Sequence, residues 1–373
     1  MNRRKALYSI AGGLAAAAIG SRSIVCGAAQ AKEKRLGIDR FSYNVRGGAE
    51  RSGAGILPAE NSRGRDALTT EVPALITEPL DFLRHSHSIG AGGIQDDIGS
   101  RDEAYTAQMR RYAEEHDLFI EGSTFLPRNA ADLARFEAHV RTAKAAGAKV
   151  VRIAIGGRRY EQFDKLQQFK DFADRSWKSI QSVEPVAARH GVRLAIENHK
   201  DFRISEMLGM LERLSSEYVG VCVDVGNSFA LLEDSMDVVK AYAPWAYAVH
   251  LKDMAVCEYE DGFLLADVPL GEGLLDLPEM VRILEGARPD IQFSVEMATR
   301  DPLKVPCLTE KYWATFDSVP GADLARILRY VRTRSKDEKL LPKVSHLPIT
   351  EQVKLEEANM KMCLRYASEH LNL

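Results

Sequence analysis

Leu194-Ala195-Ile196-Glu197, Val221-Cys222-Val223-Asp224, Tyr247-Ala248-Val249-His250 and Phe293-Ser294-Val295-Glu296 share one pattern: a short apolar run that ends on a carboxylate or an imidazole. A run of this length reads as a buried parallel strand whose last residue emerges at the strand's C-terminal end. The four end residues are separated by 27, 26 and 46 positions. The first two intervals each match one strand–helix unit, and the third is one unit plus an insertion. In a closed parallel barrel such strand ends open onto a single face, where active sites are built. Glu197, Asp224, His250 and Glu296 would meet there as a hard, mostly oxygen donor set for one divalent cation. Taken singly, each residue reads equally well as a helix cap, an ion pair or a structural histidine. The repetition at strand ends is what points to a metal site, with Mn²⁺ expected and Mg²⁺, Co²⁺, Fe²⁺ or Zn²⁺ as alternatives.

Outward from these runs, strand-like and helical patterns alternate from residue 35 onward. Strands are expected over Arg35–Ser42, Gly93–Ile98, Leu118–Gly122, Lys149–Ile155, Val192–Asn198, Val219–Val225, Ala246–Lys252 and Ile291–Met297. Helical stretches include Ala130–Ala146, stopped by Gly147, and Leu166–His190, stopped by Gly191. Eight strands alternating with helices predict a (β/α)₈ barrel, a single α/β domain over residues 35–335. An open doubly wound sheet would carry a Gly-rich phosphate loop after its first strand, and none is present. Three segments depart from the rhythm. Residues 46–73 are rich in Gly, Arg, Ser and Pro and read as a mobile insertion after the first strand. Glu258–Leu265, around Asp261-Gly262, reads as a hairpin. Residues 336–373 extend past the barrel, with an amphipathic helix near Glu351–His370 that packs on a neighbour or on the barrel's outside.

The 373 residues carry a net charge of −3, which gives no reason to expect a polyanionic partner. Residues 1–31 differ in kind: Arg3-Arg4, an apolar stretch from Ala11 to Ile19, and Ala29-Gln30-Ala31 form a twin-arginine-like export signal with a cleavage site. A periplasmic protein is expected, without a membrane anchor after processing; it is cytoplasmic if the signal is not used. Past the signal, Cys222, Cys257, Cys307 and Cys363 have no C-x-x-C spacing, so neither a zinc site nor a disulfide framework is implied.

Ala195-Ile196-Glu197-Asn198-His199, Val223-Asp224-Val225-Gly226-Asn227, Val249-His250-Leu251-Lys252-Asp253 and Gly271-Glu272-Gly273 together resemble the xylose isomerase-like TIM-barrel superfamily of sugar and sugar-phosphate isomerases and epimerases. The resemblance is specific in the second half of the chain and weak in the first. It implies that Glu197, Asp224, His250 and Glu296 ligate one divalent metal. In the ketose-epimerase branch it further implies that Glu197 and Glu296 are the acid/base pair. Asn227 departs from the pattern, because many relatives carry a His three residues after the Asp. Without that His the three-zinc, DNA-cleaving branch is disfavoured, and no nucleic-acid partner is expected.

The expected function is therefore a divalent-metal-dependent sugar isomerase or epimerase acting through an enediolate. The metal lowers the cost of the enediolate charge while carboxylates move the proton. A lyase of a keto-sugar or sugar acid, whether dehydratase or decarboxylase, uses the same donor set. A non-catalytic carbohydrate-binding barrel is the reading from another class, and two intact glutamates argue against it. The partner is a small carbohydrate, and a homo-oligomer is compatible with the sequence. Substrate contacts are expected from His199, Asn227, Lys252, Asp253, Glu121, Glu272 and Trp313, the last in a Lys311-Tyr312-Trp313 loop that could close as a lid. Arg158-Arg159 is the basic pair placed to hold a phosphate, and His85 and His87 read as structural.

Overall fold

The computed structural model describes residues 35–52 and 76–373; the expected export signal lies outside the described residues. Among the described residues, eight strands close a parallel barrel: β1 (Gly37–Asp39), β2 (Gly93–Asp96), β3 (Phe119–Phe125), β4 (Val150–Ala154), β5 (Arg193–Glu197), β6 (Val219–Asp224), β7 (Ala246–Leu251) and, after an inserted hairpin, β10 (Phe293–Val295). β10 pairs with both β7 and β1, which completes the ring. The hairpin strands are β8 (Asp253–Tyr259) and β9 (Gly262–Val268), and β11 (Leu303–Val305) adds antiparallel to β9. All eight expected barrel strands are present, each within a few residues of its expected limits.

Alternation within the strands separates the core from the site. Leu194, Ile196, Val221, Val223, Val249, Leu251, Phe293 and Val295 point outward and are buried against the surrounding helices. Each such side chain contributes roughly 1.5–3 kcal/mol of transfer free energy. The inward positions one residue on hold Val150, Ala195, Cys222 and Ala248, a small-residue plug at the barrel centre. Above this plug the inward side chains are polar. Helix starts are fixed by capping carboxylates and amides, such as Asp102 accepting from the Tyr105 amide (2.8 Å) and Asn129 from the Asp132 amide (3.0 Å). The expected helix over Leu166–His190 ends at Gly191 in the left-handed region (φ 60°), where glycine carries no Cβ penalty.

Two expectations are corrected. The segment expected to be a mobile insertion from residue 46 begins as helix, Asn44–Ser52, and residues 53–75 lie outside the described residues. The helix start is held from far along the chain. Glu356, fully buried, accepts from the backbone amides of Val45 (2.8 Å) and Arg46 (2.9 Å), and Arg46 pairs with Glu50 at 2.9 Å. The C-terminal helix, Ile349–Tyr366, therefore packs on its own barrel: Asn359 donates to Thr299 (2.9 Å), and Leu371 and Leu373 join the main core. The lid expected at Lys311–Trp313 is instead a short helix, Glu310–Trp313. Tyr312 is fully buried beside Tyr160, and Trp313 Nε1 donates to the Cys307 carbonyl (2.9 Å). These residues belong to a second core beneath β8, β9 and β11.

Candidate metal centre

Strand register brings the four end residues to one height. Asp224 is level with His250, His250 with Ser294, and Glu197 with Cys222. Because i and i+2 share a face, Asp224 (two past Cys222) and Glu296 (two past Ser294) project inward beside Glu197 and His250. One ligand atom from each of Glu197, Asp224, His250 and Glu296 lies within 4.8 Å of all the others, and all four residues are buried. This group could hold a metal ion.

Their surroundings fit that role. Gln95, one strand pair from Asp39 and Glu121, donates from Nε2 to Glu121 Oε2 (2.8 Å) and stands 2.6 Å from His250 Nε2 through its Oε1. This network puts the ring proton on Nε2 and turns Nδ1 toward the carboxylates, the arrangement of a ligating histidine with an orienting partner. Nδ1 lies 3.2 Å from Glu296 Oε2, 3.7 Å from Glu197 Oε1 and 3.8 Å from Asp224 Oδ2. His250 Nδ1 is buried and makes no hydrogen bond, the condition of a donor atom available to a cation, whereas Asp224 Oδ2 faces the Lys252 ammonium at 2.7 Å. Asp224 Oδ1 is fixed by the backbone amides of Gly226 (2.9 Å) and Asn227 (2.7 Å).

Each carboxylate of the group faces a cationic partner. Burial is the largest influence on Glu197 and would raise it, but the Arg152 guanidinium bonded to its Oε2 and His250 together hold the carboxyl well below its usual range. Burial also opposes ionisation of Glu296, and the Lys252 ammonium and His250 reverse it. Asp224 stays raised by burial despite Lys252. His250 would be lowered by burial, yet Cys222, Glu296 and Glu197 raise it well above its ordinary value. Lys252 Nζ spans Asp224 Oδ2 and Glu296 Oε2, each at 2.7 Å.

Above the cage opens a cavity of about 400 Å³ lined by His199, Lys200, Asn227, Lys252 and Glu296 on its barrel side. Asp267 of β9, Arg300 and Leu303 of β11 form its far wall, with Phe41, Arg158 and Glu161 at other edges. Glu296 is the member of the quartet that lines this space. Of the substrate contacts expected from sequence, His199, Asn227 and Lys252 line it. Asn227 donates from Nδ2 to Glu197 Oε1 (3.1 Å) and accepts from Lys200 Nζ. Burial lowers His199 to about 3, so its ring is neutral, and its Nδ1 makes no hydrogen bond. Glu121 faces the cage rather than the cavity; burial pushes it up to about 7, partly offset by Gln95.

Three more expected contacts, besides Glu121, do not line the cavity. Asp253 is 1% exposed and spends both oxygens on the backbone amides of Met254, Gly271, Gly273 and Leu275. Glu272 is exposed on that turn, and its carbonyl accepts from Lys336. Trp313 lies in the second core. Arg159 is likewise no phosphate ligand, since it is buried between Phe169 and Phe316 and paired with Glu206 at 2.8 Å. His85 bonds Tyr43 and Glu357, and His87 bonds Tyr112, both structural as expected. Sequence reasoning missed Arg152, Lys200, Gln95 and Asp39. For Arg152 a signal existed: a lone charge inside the apolar run Val150-Val151-Arg152-Ile153 faces the barrel interior. Cys222, Cys257, Cys307 and Cys363 are free and buried. No helix among the described residues is long and apolar enough to cross a membrane.

A closed parallel barrel with four buried residues that could hold a metal ion beneath a polar cavity defines the class of (β/α)₈ barrels with a candidate metal centre at the strand ends. The sequence pattern of the xylose isomerase-like TIM barrel family matches residues 83–329, and the chain belongs to that family. A curated relative, the 3-oxo-isoapionate decarboxylase of Pectobacterium atrosepticum, is 28% identical over 109 residues, which is 29% of this chain and 40% of that protein. The match thus spans well under half of the relative's length. Among solved structures, a xylose isomerase-like TIM barrel protein of Mycobacterium smegmatis in complex with magnesium superposes with a TM-score of 0.50 at 15% identity, covering 79% of this chain and 98% of that one. The probable 3-DHS dehydratase of Bacillus anthracis, involved in petrobactin synthesis, gives a TM-score of 0.50 at 14% identity, covering 76% and 100%. At these identities the two structures report the shared fold.

Proposed function

We propose that this protein is a divalent-metal-dependent enzyme that isomerises or epimerises a keto-sugar or sugar derivative through an enediolate. The observation that carries this reading is the buried Glu197–Asp224–His250–Glu296 cage directly beneath the cavity, with His250 Nδ1 making no hydrogen bond. A divalent ion held there would neutralise the charge that develops on the substrate's carbonyl and hydroxyl oxygens. Glu296 lines the cavity. Its Oε2 faces Lys252 and His250, and its Oε1 makes no hydrogen bond among the described residues. It is the group to take the proton from the carbon beside the carbonyl, as a carboxylate held ionised. Returning that proton to the neighbouring carbon isomerises the sugar. Inversion at the first carbon needs delivery from the other face, the role assigned to Glu197. Both oxygens of Glu197 are engaged, by Arg152 and Asn227, so delivery from it requires one of these contacts to open. His199, neutral and unpartnered at Nδ1, and Lys252 orient substrate hydroxyls.

A second reading, a decarboxylase or dehydratase on the same cage, is favoured by the curated relative's activity on a 3-oxo sugar acid. Incubating the Mn²⁺-loaded protein with a panel of keto-sugars and keto-sugar acids in heavy water separates the two. Deuterium gained with no other mass change supports isomerase or epimerase; loss of CO₂ or water supports the lyase. No exchange and no turnover across the panel would sink both. Glu296→Gln should abolish exchange while metal remains bound. Glu197→Gln should abolish inversion, and it spares exchange at one carbon if Glu296 acts alone.

A further inference from the structure

The cations lining the cavity are paired, with one exception. Arg158 faces Glu161 at 2.8 Å, Lys252 faces Glu296 at 2.7 Å, and Arg300 faces Asp267 at 2.9 Å. Lys200 is 4% exposed, lines the same space, and forms no ion pair among the described residues. Its one hydrogen bond is to the amide oxygen of Asn227, which leaves two of the three ammonium donors unused. The nearest acidic groups are spoken for, Asp224 by Lys252 and Asp267 by Arg300. A buried ammonium facing a ligand cavity without a counter-charge is costly in the empty site and is repaid by an anion.

We propose that Lys200 seats a carboxylate of the substrate, so that this enzyme acts on keto-sugar acids rather than neutral keto-sugars; this rests on the enediolate chemistry proposed above. The anion is a carboxylate and not a phosphate because the nearby amides that could cradle a phosphate are used. Gly156 donates to Asp201 (2.9 Å) and Gly157 to Gln162 (3.0 Å). Burial, reinforced by Lys252, lowers Lys200 to about 8, so it is still an ammonium at neutral pH and gains most from an anionic neighbour.

The test uses two compounds that differ at one carbon: 2-keto-D-gluconate, with a carboxylate at C1, and D-fructose, with a hydroxymethyl group there. Affinities for the Mn²⁺-loaded full chain are measured by calorimetry, and deuterium exchange is followed on the same samples. The acid is expected to bind at least tenfold more tightly than fructose. Lys200→Gln should remove at least tenfold of the acid's affinity and leave fructose within twofold, while Lys200→Arg keeps part of it. Equal affinities in the unaltered protein, or an acid affinity indifferent to Lys200→Gln, would overturn the seat; the first of these does not depend on how the variants fold. Exchange into both compounds with equal affinities removes the seat and keeps the chemistry. Lys200-dependent binding of the acid without exchange keeps the seat and removes the chemistry, and binding of neither compound overturns both.

Discussion

Asp253→Asn separates a structural carboxylate from a substrate contact. Asp253 Oδ1 accepts from the amides of Met254 (2.9 Å) and Leu275 (3.1 Å), and Oδ2 from those of Gly271 (3.0 Å) and Gly273 (2.9 Å). The carboxylate thereby ties the start of β8 to the turn that leads into the helix Leu277–Ala287. An Asn side chain keeps one oxygen and turns an NH₂ group toward the other two amides. Whichever way it rotates, two backbone donors lose their acceptor. A buried donor left unmade costs about 1–3 kcal/mol, so the pair costs roughly 2–6 kcal/mol. Gly271 is exposed and Gly273 half-buried, so water partly repairs the Oδ2 pair, and the expected loss is about 2–4 kcal/mol. Urea unfolding followed by circular dichroism reads this as a lower midpoint, while activity per folded molecule stays near that of the unaltered protein. Gly273→Ala probes the same contact from the other side, because its Cβ would fall 2.1 Å from Asp253 Oδ1. A loss under 1 kcal/mol, or unchanged stability with activity abolished, would refute the structural role and return Asp253 to the substrate.

Two further outcomes follow from the cage and from the C-terminal helix. Gln95→Leu removes the group that orients His250 and should weaken Mn²⁺ binding about 10–100-fold in a metal titration, the usual effect of losing an orienting partner; a change under twofold would show that His250 orients itself. Burial would raise Glu357, but hydrogen bonds from His85 and Tyr43 and the His85 charge carry it from 4.5 down to about 2. A depressed carboxylate stabilises the fold above pH 4.5, and that stability drains as pH falls from 4.5 through about 2. Glu357→Gln should therefore cost roughly 2 kcal/mol at neutral pH after allowance for its partial exposure, with the difference from the unaltered protein vanishing at low pH. Denaturation series at several pH values would contradict this if the two proteins differed by a constant amount throughout.

The barrel was legible because its strands are buried on both sides, so each reads as a short apolar run bounded by helix caps and stops. The quartet was legible for the same reason: strand ends in a barrel share a face, and spacing alone places Glu197, Asp224 and His250 one unit apart. What sequence did not reveal depends on contacts made at long range. Asp253 follows a strand end just as a ligand does, and only the turn at Gly271–Leu275 shows that its oxygens are spent on backbone amides. The helix Asn44–Ser52 contains Gly47 and Gly48 and has weak intrinsic propensity; Glu356 supplies its first hydrogen-bond acceptors from about three hundred residues away. Lys200 lies beyond the end of β5 with nothing local to distinguish it from a solvent lysine. Trp313 looked like an exposed loop aromatic because the second core that buries Tyr312 beside it is assembled from β8, β9 and β11.

The central claim is that Glu197, Asp224, His250 and Glu296 hold one divalent metal. Calorimetric titration of Mn²⁺ into the metal-stripped full chain, with metal content checked by mass spectrometry, tests it most directly when run beside the Asp224→Ala/His250→Ala double variant. One Mn²⁺ per chain, and none in a folded double variant, is the predicted result. The same stoichiometry and affinity in both proteins would contradict the account.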